Sequence, residues 1–249
     1  PYTTLFRSHQ YLFLHKSFEF PKADKVSLAL LKFFTVLTSL GAKERLALSF
    51  RHMKDDPQNH IRVIPPLLRR EVTLHEPYSG DYIHGYMVNA GFSENVMKWH
   101  RQHPGIPLRF FWDKWEEEPV KRVDNTLSFY QLDDVEFLRQ MAGCKAYAST
   151  AGFESVCEAM YLGKPILMVP AHIEQDCNAY DAEKSGAGII SSDFNLQQLL
   201  EFAKDYHPNR DFVYWVRGAE YTLLNLLESD SSNYQQVLFN EMYLVEEFI

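Results

Sequence analysis

Residues 149–170 read STAGFESVCEAMYLGKPILMVP, and AHIEQDCN follows directly at 171–178. The order is strand end, tight turn, helix, strand, then a polar loop that opens another helix. A short apolar run ends at Ala148, Gly152 is the residue expected to let the backbone turn, and Val156, Ala159 and Met160 recur at helical spacing until Gly163 closes the helix. A helix that begins straight after a strand in this way offers free N–H groups and the positive end of its dipole, which suits a diphosphate. A carboxylate one or two turns in can accept hydrogen bonds from ribose hydroxyls, and Glu158 holds that place.

The same alternation runs outward in both directions. Strands are expected at 82–88, 108–112, 126–130, 146–150, 165–169 and 188–191, with helices at 93–103 (capped by Ser93), 133–143, 152–162 and 174–184. Repetition at this spacing implies an α/β fold, a parallel sheet sandwiched by helices with ligands at the carboxyl ends of its strands. Upstream, a helix at 24–40 ends at Gly41, strands lie at 45–50 and 61–64, and Pro65-Pro66 break the pattern. Residues 69–81 are polar, with Pro77 and Gly80, and suit an interdomain connection. Two further helices are expected at 195–206 and 211–228.

Composition narrows the partners. The chain has 249 residues and a formal net charge of −8, which argues against nucleic acid as the main partner, since a phosphate backbone calls for a basic face. Its three cysteines, Cys144, Cys157 and Cys177, are odd in number and lack metal-ligand spacing, so a reducing, cytoplasmic compartment and no bound metal are expected. The apolar stretch 26–40 is interrupted by Lys32 and too short to span a bilayer, so it reads as a buried or surface-lying helix. Pro1 to Ser8 (PYTTLFRS) matches one reading frame of a common sequencing adapter, and no initiator Met is present. Residues 1–8 are therefore expected to be artefactual, and the chain an N-terminally truncated fragment.

Taken together, Ala151-Gly152, Glu158-Ala159, Gly163-Lys164-Pro165, the apolar strand to Pro170, Glu174-Gln175, Asn178-Ala179 and Gly186-Ala187-Gly188 form a spaced series in fixed order. This series resembles the donor-binding half of GT-B glycosyltransferases, the group that includes the peptidoglycan N-acetylglucosaminyltransferase MurG. The match is closest to a bacterial and archaeal family of MurG-like enzymes and extends in weaker form from His9 to Tyr206. The resemblance implies one complete Rossmann-like C-terminal domain (82–210), a remnant of the N-terminal, acceptor-side domain (9–68), a linker (69–81) and C-terminal helices (211–249) that cross back to the first domain.

It also implies roles. Ala151, Gly152 and Phe153 would offer backbone N–H groups near the diphosphate, Glu158 would bind the ribose, and Gln175 and Asn178 would reach the sugar hydroxyls, with His172 lining the pocket. Gln131 and Leu132 would lie against the base, while Asp133 reads as a helix cap. Asn89 and Gly91 occupy the turn that approaches the phosphates in relatives, although they depart from MurG's Gly-rich pattern. Lys114 reads as a solvated surface lysine, and the carboxylates of Asp55-Asp56 and 116–118 as solvated charge. Ser8-His9-Gln10 resembles the strand-end segment that faces the acceptor, placing His9 and Gln10 on that side of the cleft. The catalytic base is expected in an early Gly-rich, His-containing loop of the first domain, which has no counterpart in these residues.

The implied activity is transfer of a sugar from a nucleoside-diphosphate donor, UDP-linked, to a carbohydrate or lipid-linked acceptor. No cofactor or metal is expected, and peripheral membrane association is. The fragment itself is expected to bind donor without transferring it. A GT-B sugar-nucleotide epimerase and a non-catalytic donor-binding module are the alternatives.

Overall fold

The computed structural model describes residues 6–114 and 118–226. The first part is a three-stranded parallel sheet in the order β1 (Phe6–Ser8), β2 (Arg45–Leu48), β3 (Ile61–Ile64). Sequence alone sets residues 1–8 aside; Phe6 to Ser8 instead pair with Arg45 to Ala47, and residues 1–5 lie outside the described residues. Between β1 and β2 come a 3-10 turn, His9–Leu14, and the helix α1 (Lys25–Thr38), whose first turn is capped by Asp24 accepting from the Ser27 N–H at 2.8 Å. Helix α1 buries Leu31 and Thr35 but leaves Val26, Leu30, Phe33, Phe34 and Leu37 exposed.

Residues 69–81, expected to be an interdomain connection, contain a short helix, α2 (Arg70–Leu74). Five residues are too few for periodicity to reveal. A seven-stranded sheet follows, built from β4 (Ile83–Met87), β5 (Leu108–Trp112), β6 (Val120–Arg122), β7 (Leu127–Gln131), β8 (Ala146–Ser149), β9 (Ile166–Met168) and β10 (Gly188–Ile190), in the order β10-β9-β8-β4-β5-β7-β6. All pairs are parallel except β6 with β7. Strand β6 is absent from the sequence expectation because it is a three-residue edge strand carrying Lys121 and Arg122, a charged composition that guards edges and hides strand character.

Helices α3 (Ser93–Gln102), α4 (Asp134–Gly143), α5 (Phe153–Tyr161), α6 (Ile173–Lys184), α7 (Leu196–Phe202) and α8 (Arg210–Arg217) complete the alternation. Asp133 caps α4 as expected, accepting from the Glu136 N–H at 2.8 Å. Ser93 does not cap α3: it lies within the helix, and the preceding turn is held by Asn89 Oδ1, which accepts from the Gly91 N–H. One buried cluster forms around Phe111, Phe137, Tyr147 and Met160, another around Ile83, Phe110, Phe129 and Leu167. A third joins Leu12 and Phe13 of the 3-10 turn and Val63 of β3 to Cys177 of α6, with Trp215 of α8 packed against it. The indole N–H of Trp215 also donates to the Ser49 carbonyl at 3.0 Å, so α8 touches the segment that follows β2; of the C-terminal helices expected over 211–249, residues 227–249 lie outside the described residues.

Candidate functional site

The chain runs outward from β4 through β5 to β7, then returns to β8 on the other side of β4. That reversal opens a crevice at the carboxyl ends of β4 and β8, where doubly wound folds bind ligands. Thr150 ties the two strand ends together, its Oγ1 accepting from the Val88 N–H at 3.3 Å. The carboxyl end of the first sheet faces the same place. Between them lies a cleft of about 410 Å³ lined by Ser8, His9, Leu48, Tyr86, Gly152, Phe153, Glu154, Ser155 and Glu174.

The turn into α5 is made differently from expectation. Ala151, not Gly152, adopts the left-handed conformation, with φ of 60°, while Gly152 is extended at φ −65°. Sequence favours glycine for positive φ; here a buried alanine is held there, its N–H donating to Ser149 Oγ at 3.0 Å. No side chain caps α5. Its first-turn N–H groups therefore remain free of a side-chain acceptor beside the cleft, the arrangement that attracts an anion.

His9 stacks on Phe153 with ring centroids 4.2 Å apart and meets Phe50 edge-on. Its Nδ1 bonds the Leu48 carbonyl at 2.7 Å, which requires Nδ1 to carry the proton and leaves the buried Nε2 unpaired as an acceptor. Burial holds the His9 imidazole below its ordinary range against the raising influence of Asp181 and Glu174, so the ring is neutral. Gln10 sits beside it, half-buried, its backbone N–H on Ser8 Oγ.

Gln175 and Asn178 are buried and committed to the loops around the cleft. Gln175 Oε1 accepts from the Ala171 N–H at 2.9 Å, and Asn178 Nδ2 donates to the Ala151 carbonyl at 3.4 Å, leaving Asn178 Oδ1 unpaired. His172 is exposed at the start of α6. Gln131 ends β7, and Leu132 projects half-exposed from the loop that follows. Asn89 and Gly91 form the exposed turn after β4, and Lys114 lies near the Trp112 ring. Of the acidic run 116–118, only Glu118 lies within the described residues, and it is exposed.

Glu158 has a partner that sequence reasoning does not identify. Its side chain is 3% exposed, and Arg69 grips both oxygens: Nε donates to Oε1 at 2.7 Å and Nη2 to Oε2 at 2.9 Å. The third nitrogen, Nη1, donates to Asp134 at the start of α4 at 2.9 Å. Burial pushes the Glu158 carboxyl up while Arg69 pulls it down, and the bond to Glu158 raises Arg69 in turn. Arg69 looks in the sequence like one polar residue of a connection, and the basic pair Arg69-Arg70 after the apolar Leu67-Leu68 is the one signal that marks it. Among the described residues, no group of three or more His, Cys, Asp or Glu side chains is placed to hold a metal ion.

Two parallel sheets facing one another across a cleft at their carboxyl ends, one of them doubly wound with an uncapped helix at its switch point, define a GT-B type α/β protein. The chain belongs to glycosyl transferase family 1, whose profile matches residues 22–206. The glycotransferase of kitacinnamycin superposes over 84% of this chain and 57% of its own length, with a TM-score of 0.55 and 14% identity. The calicheamicin glycosyltransferase CalG4 does so over 82% and 61%, with a TM-score of 0.53 and 13% identity. In sequence, the putative UDP-glucuronosyltransferase ugt-48 of Caenorhabditis elegans is 26% identical over 105 residues, which is 41% of this chain and 20% of that protein. The chain thus spans less than two thirds of these relatives' lengths.

Proposed function

We propose that this chain carries the donor site of a MurG-like glycosyltransferase that moves a sugar from a nucleoside-diphosphate donor, UDP-linked, to a carbohydrate or lipid-linked acceptor. The observation that carries the reading is the uncapped start of α5 opening into the cleft at the β4–β8 switch point. In this reading the N–H groups around Gly152 and Phe153 take the diphosphate. Leaving-group charge then develops against a fixed dipole, so that no metal is needed for it. Leu132 covers the base and Glu158 receives the ribose hydroxyls.

Glu154 and Glu174 also line the cleft. Carboxylates there disfavour a second anion but suit the hydroxyls of a neutral sugar, for which they are acceptors. His9, neutral with a free Nε2, suits the acceptor side, where it can receive a hydrogen bond from a hydroxyl. The 26% likeness to a putative UDP-glucuronosyltransferase supports a uridine donor, and the exposed apolar row on α1 supports contact with a membrane surface that carries the acceptor.

Calorimetric titration with UDP tests the reading. The chain is expected to bind, and Glu158→Ala to weaken binding by roughly tenfold to a hundredfold, as loss of charged hydrogen bonds of about 1.5 to 3 kcal/mol implies. Equal affinity in the two proteins removes Glu158 from the site. No heat with any nucleoside diphosphate removes the site.

A further inference from the structure

Glu158 sits on α5, yet the group that holds it comes from outside the seven-stranded sheet, from the residue just before α2. A guanidinium fork that meets both carboxylate oxygens fixes the plane of the carboxylate and uses one acceptor direction on each oxygen. Neither oxygen has a further hydrogen-bond partner among the described residues, so each keeps capacity for one more acceptor bond. Asp134 anchors the same guanidinium from the segment that follows Leu132, so base-side loop and ribose-side carboxylate are set by one side chain. We infer that Arg69 is a positioning residue of the donor site, holding Glu158 charged and oriented so that it can accept both hydroxyls of a ribose cis-diol. This rests on the donor reading above.

The alternative state of Glu158 is well defined. The groups that act on the carboxyl are Arg69, Asp134 and Glu154, and Tyr147 and Cys157 lie close enough to feel its charge. Arg69 is the cation among the influences on a side chain that burial and two neighbouring carboxylates push toward neutrality. Without it Glu158 takes up a proton more readily, since burial and the neighbouring carboxylates are then unopposed, and a protonated carboxyl keeps one oxygen as a full acceptor and turns the other into a donor. A diol then exchanges its charge-assisted bonds for weaker neutral ones, in one of which it must accept rather than donate. Because the charge-assisted bonds return when the carboxyl ionises, the loss is greatest at low pH and fades as pH rises.

The test is calorimetric binding of UDP and 2′-deoxy-UDP between pH 6 and 8.5, each variant compared with wild type at the same pH so that titration of the nucleotide cancels. Wild type is expected to prefer UDP over the deoxy form by about tenfold, the worth of one charged hydrogen bond. Arg69→Gln should bind UDP about ten- to a hundredfold more weakly at the acid end of this range and prefer the diol least there, with both deficits shrinking as pH rises. Glu158→Gln should lack the preference at every pH. Arg69→Lys keeps the charge without the fork, so about a tenfold loss that does not vary with pH is expected. If Arg69→Gln does not fold by circular dichroism, Arg69→Lys carries the test, and wild-type affinity in that variant overturns the inference. So does an Arg69→Gln deficit that is constant across pH. Failure of wild type to bind any nucleoside diphosphate strikes the donor reading itself, whatever the Arg69 variants do, whereas failure of Glu158→Gln to change binding removes Glu158 from the site and overturns this inference alone.

Discussion

His84 shows how much a single buried side chain can set. It lies in β4 between Tyr147 and Arg109 of the neighbouring strands, its ring 5.3 Å from that of Tyr147 and edge-on to Phe137, with neither ring nitrogen hydrogen-bonded. Burial pushes the imidazole down to about 3. The folded protein therefore keeps His84 neutral while the unfolded chain protonates it near pH 6.5, and stability is complete above that value and falls as pH drops toward 3. The slope is about 1.4 kcal/mol per pH unit inside the window, with His9 acting in the same direction. His84→Phe should flatten the acid limb of a urea-denaturation series between pH 6.5 and 4. An unchanged limb would show that His84 is not the group titrating.

At the turn into α5, the two residues Ala151 and Gly152 should respond in opposite ways. Ala151 is fully buried at φ 60°; Ala151→Gly relieves strain but gives up a buried methyl, effects of about 1 kcal/mol each that nearly cancel. Ala151→Val adds β-branching at positive φ and should cost more than about 2 kcal/mol in thermal or urea unfolding. A Cβ on Gly152 would meet nothing closer than Ser155 Oγ at 3.7 Å, so Gly152→Ala should fold normally and weaken UDP binding. Normal UDP binding by that variant would move the diphosphate away from this turn.

Among the helices of eight or more residues, α1 buries the smallest share of its residues. It places Val26, Leu30, Phe33 and Leu37 along one exposed face at helical spacing, with Lys25 and Lys32 on the same helix. Such a helix is suited to lie in a bilayer interface. Phe33→Ser with Leu37→Ser should reduce co-sedimentation with vesicles containing anionic lipid and leave UDP affinity unchanged; equal co-sedimentation would set this helix aside as a membrane contact. The same helix shows what sequence conveys and what it omits. Its start follows from Asp24, as that of α4 follows from Asp133, because caps are local chemistry, whereas its end falls at Ser39, two residues before the Gly41 that the sequence offers. The parallel alternation after residue 82 is equally legible, since apolar runs and helical spacing repeat. Arg69 is not, because its partner Glu158 is distant in the chain and pairing at such range leaves no local pattern. The left-handed Ala151 is hidden for the opposite reason: local preference points to its neighbour, and tertiary packing overrides it.

At the scale of the whole molecule the two sheets are clasped on either side of the cleft. Arg51, just after β2, donates to Asp181 and to Ser185 of the α6 end, while Trp215 reaches the Ser49 carbonyl and meets His52 edge-on. Asp181 is buried, and its Oδ2 has no other partner. Removing the cation leaves a buried carboxylate uncompensated, which typically costs about 3 to 5 kcal/mol, reduced here to about 2 to 4 because Arg51 itself reaches solvent. Asp181→Asn removes the charge together with its need for a partner and should cost less. The Lys184–Glu19 pair also joins the two parts but lies at the surface, where water and salt screen it, so Lys184→Ala should leave stability unchanged. Urea unfolding of the three variants separates these expectations: Arg51→Ala is expected to shift the midpoint most and to weaken UDP binding with it, because the cleft depends on both sheets keeping their places. A midpoint for Arg51→Ala no lower than that for Lys184→Ala would mean that the aromatic contacts of His9 with Phe153 and of Trp215 with His52, rather than this ion pair, hold the two sheets around the cleft.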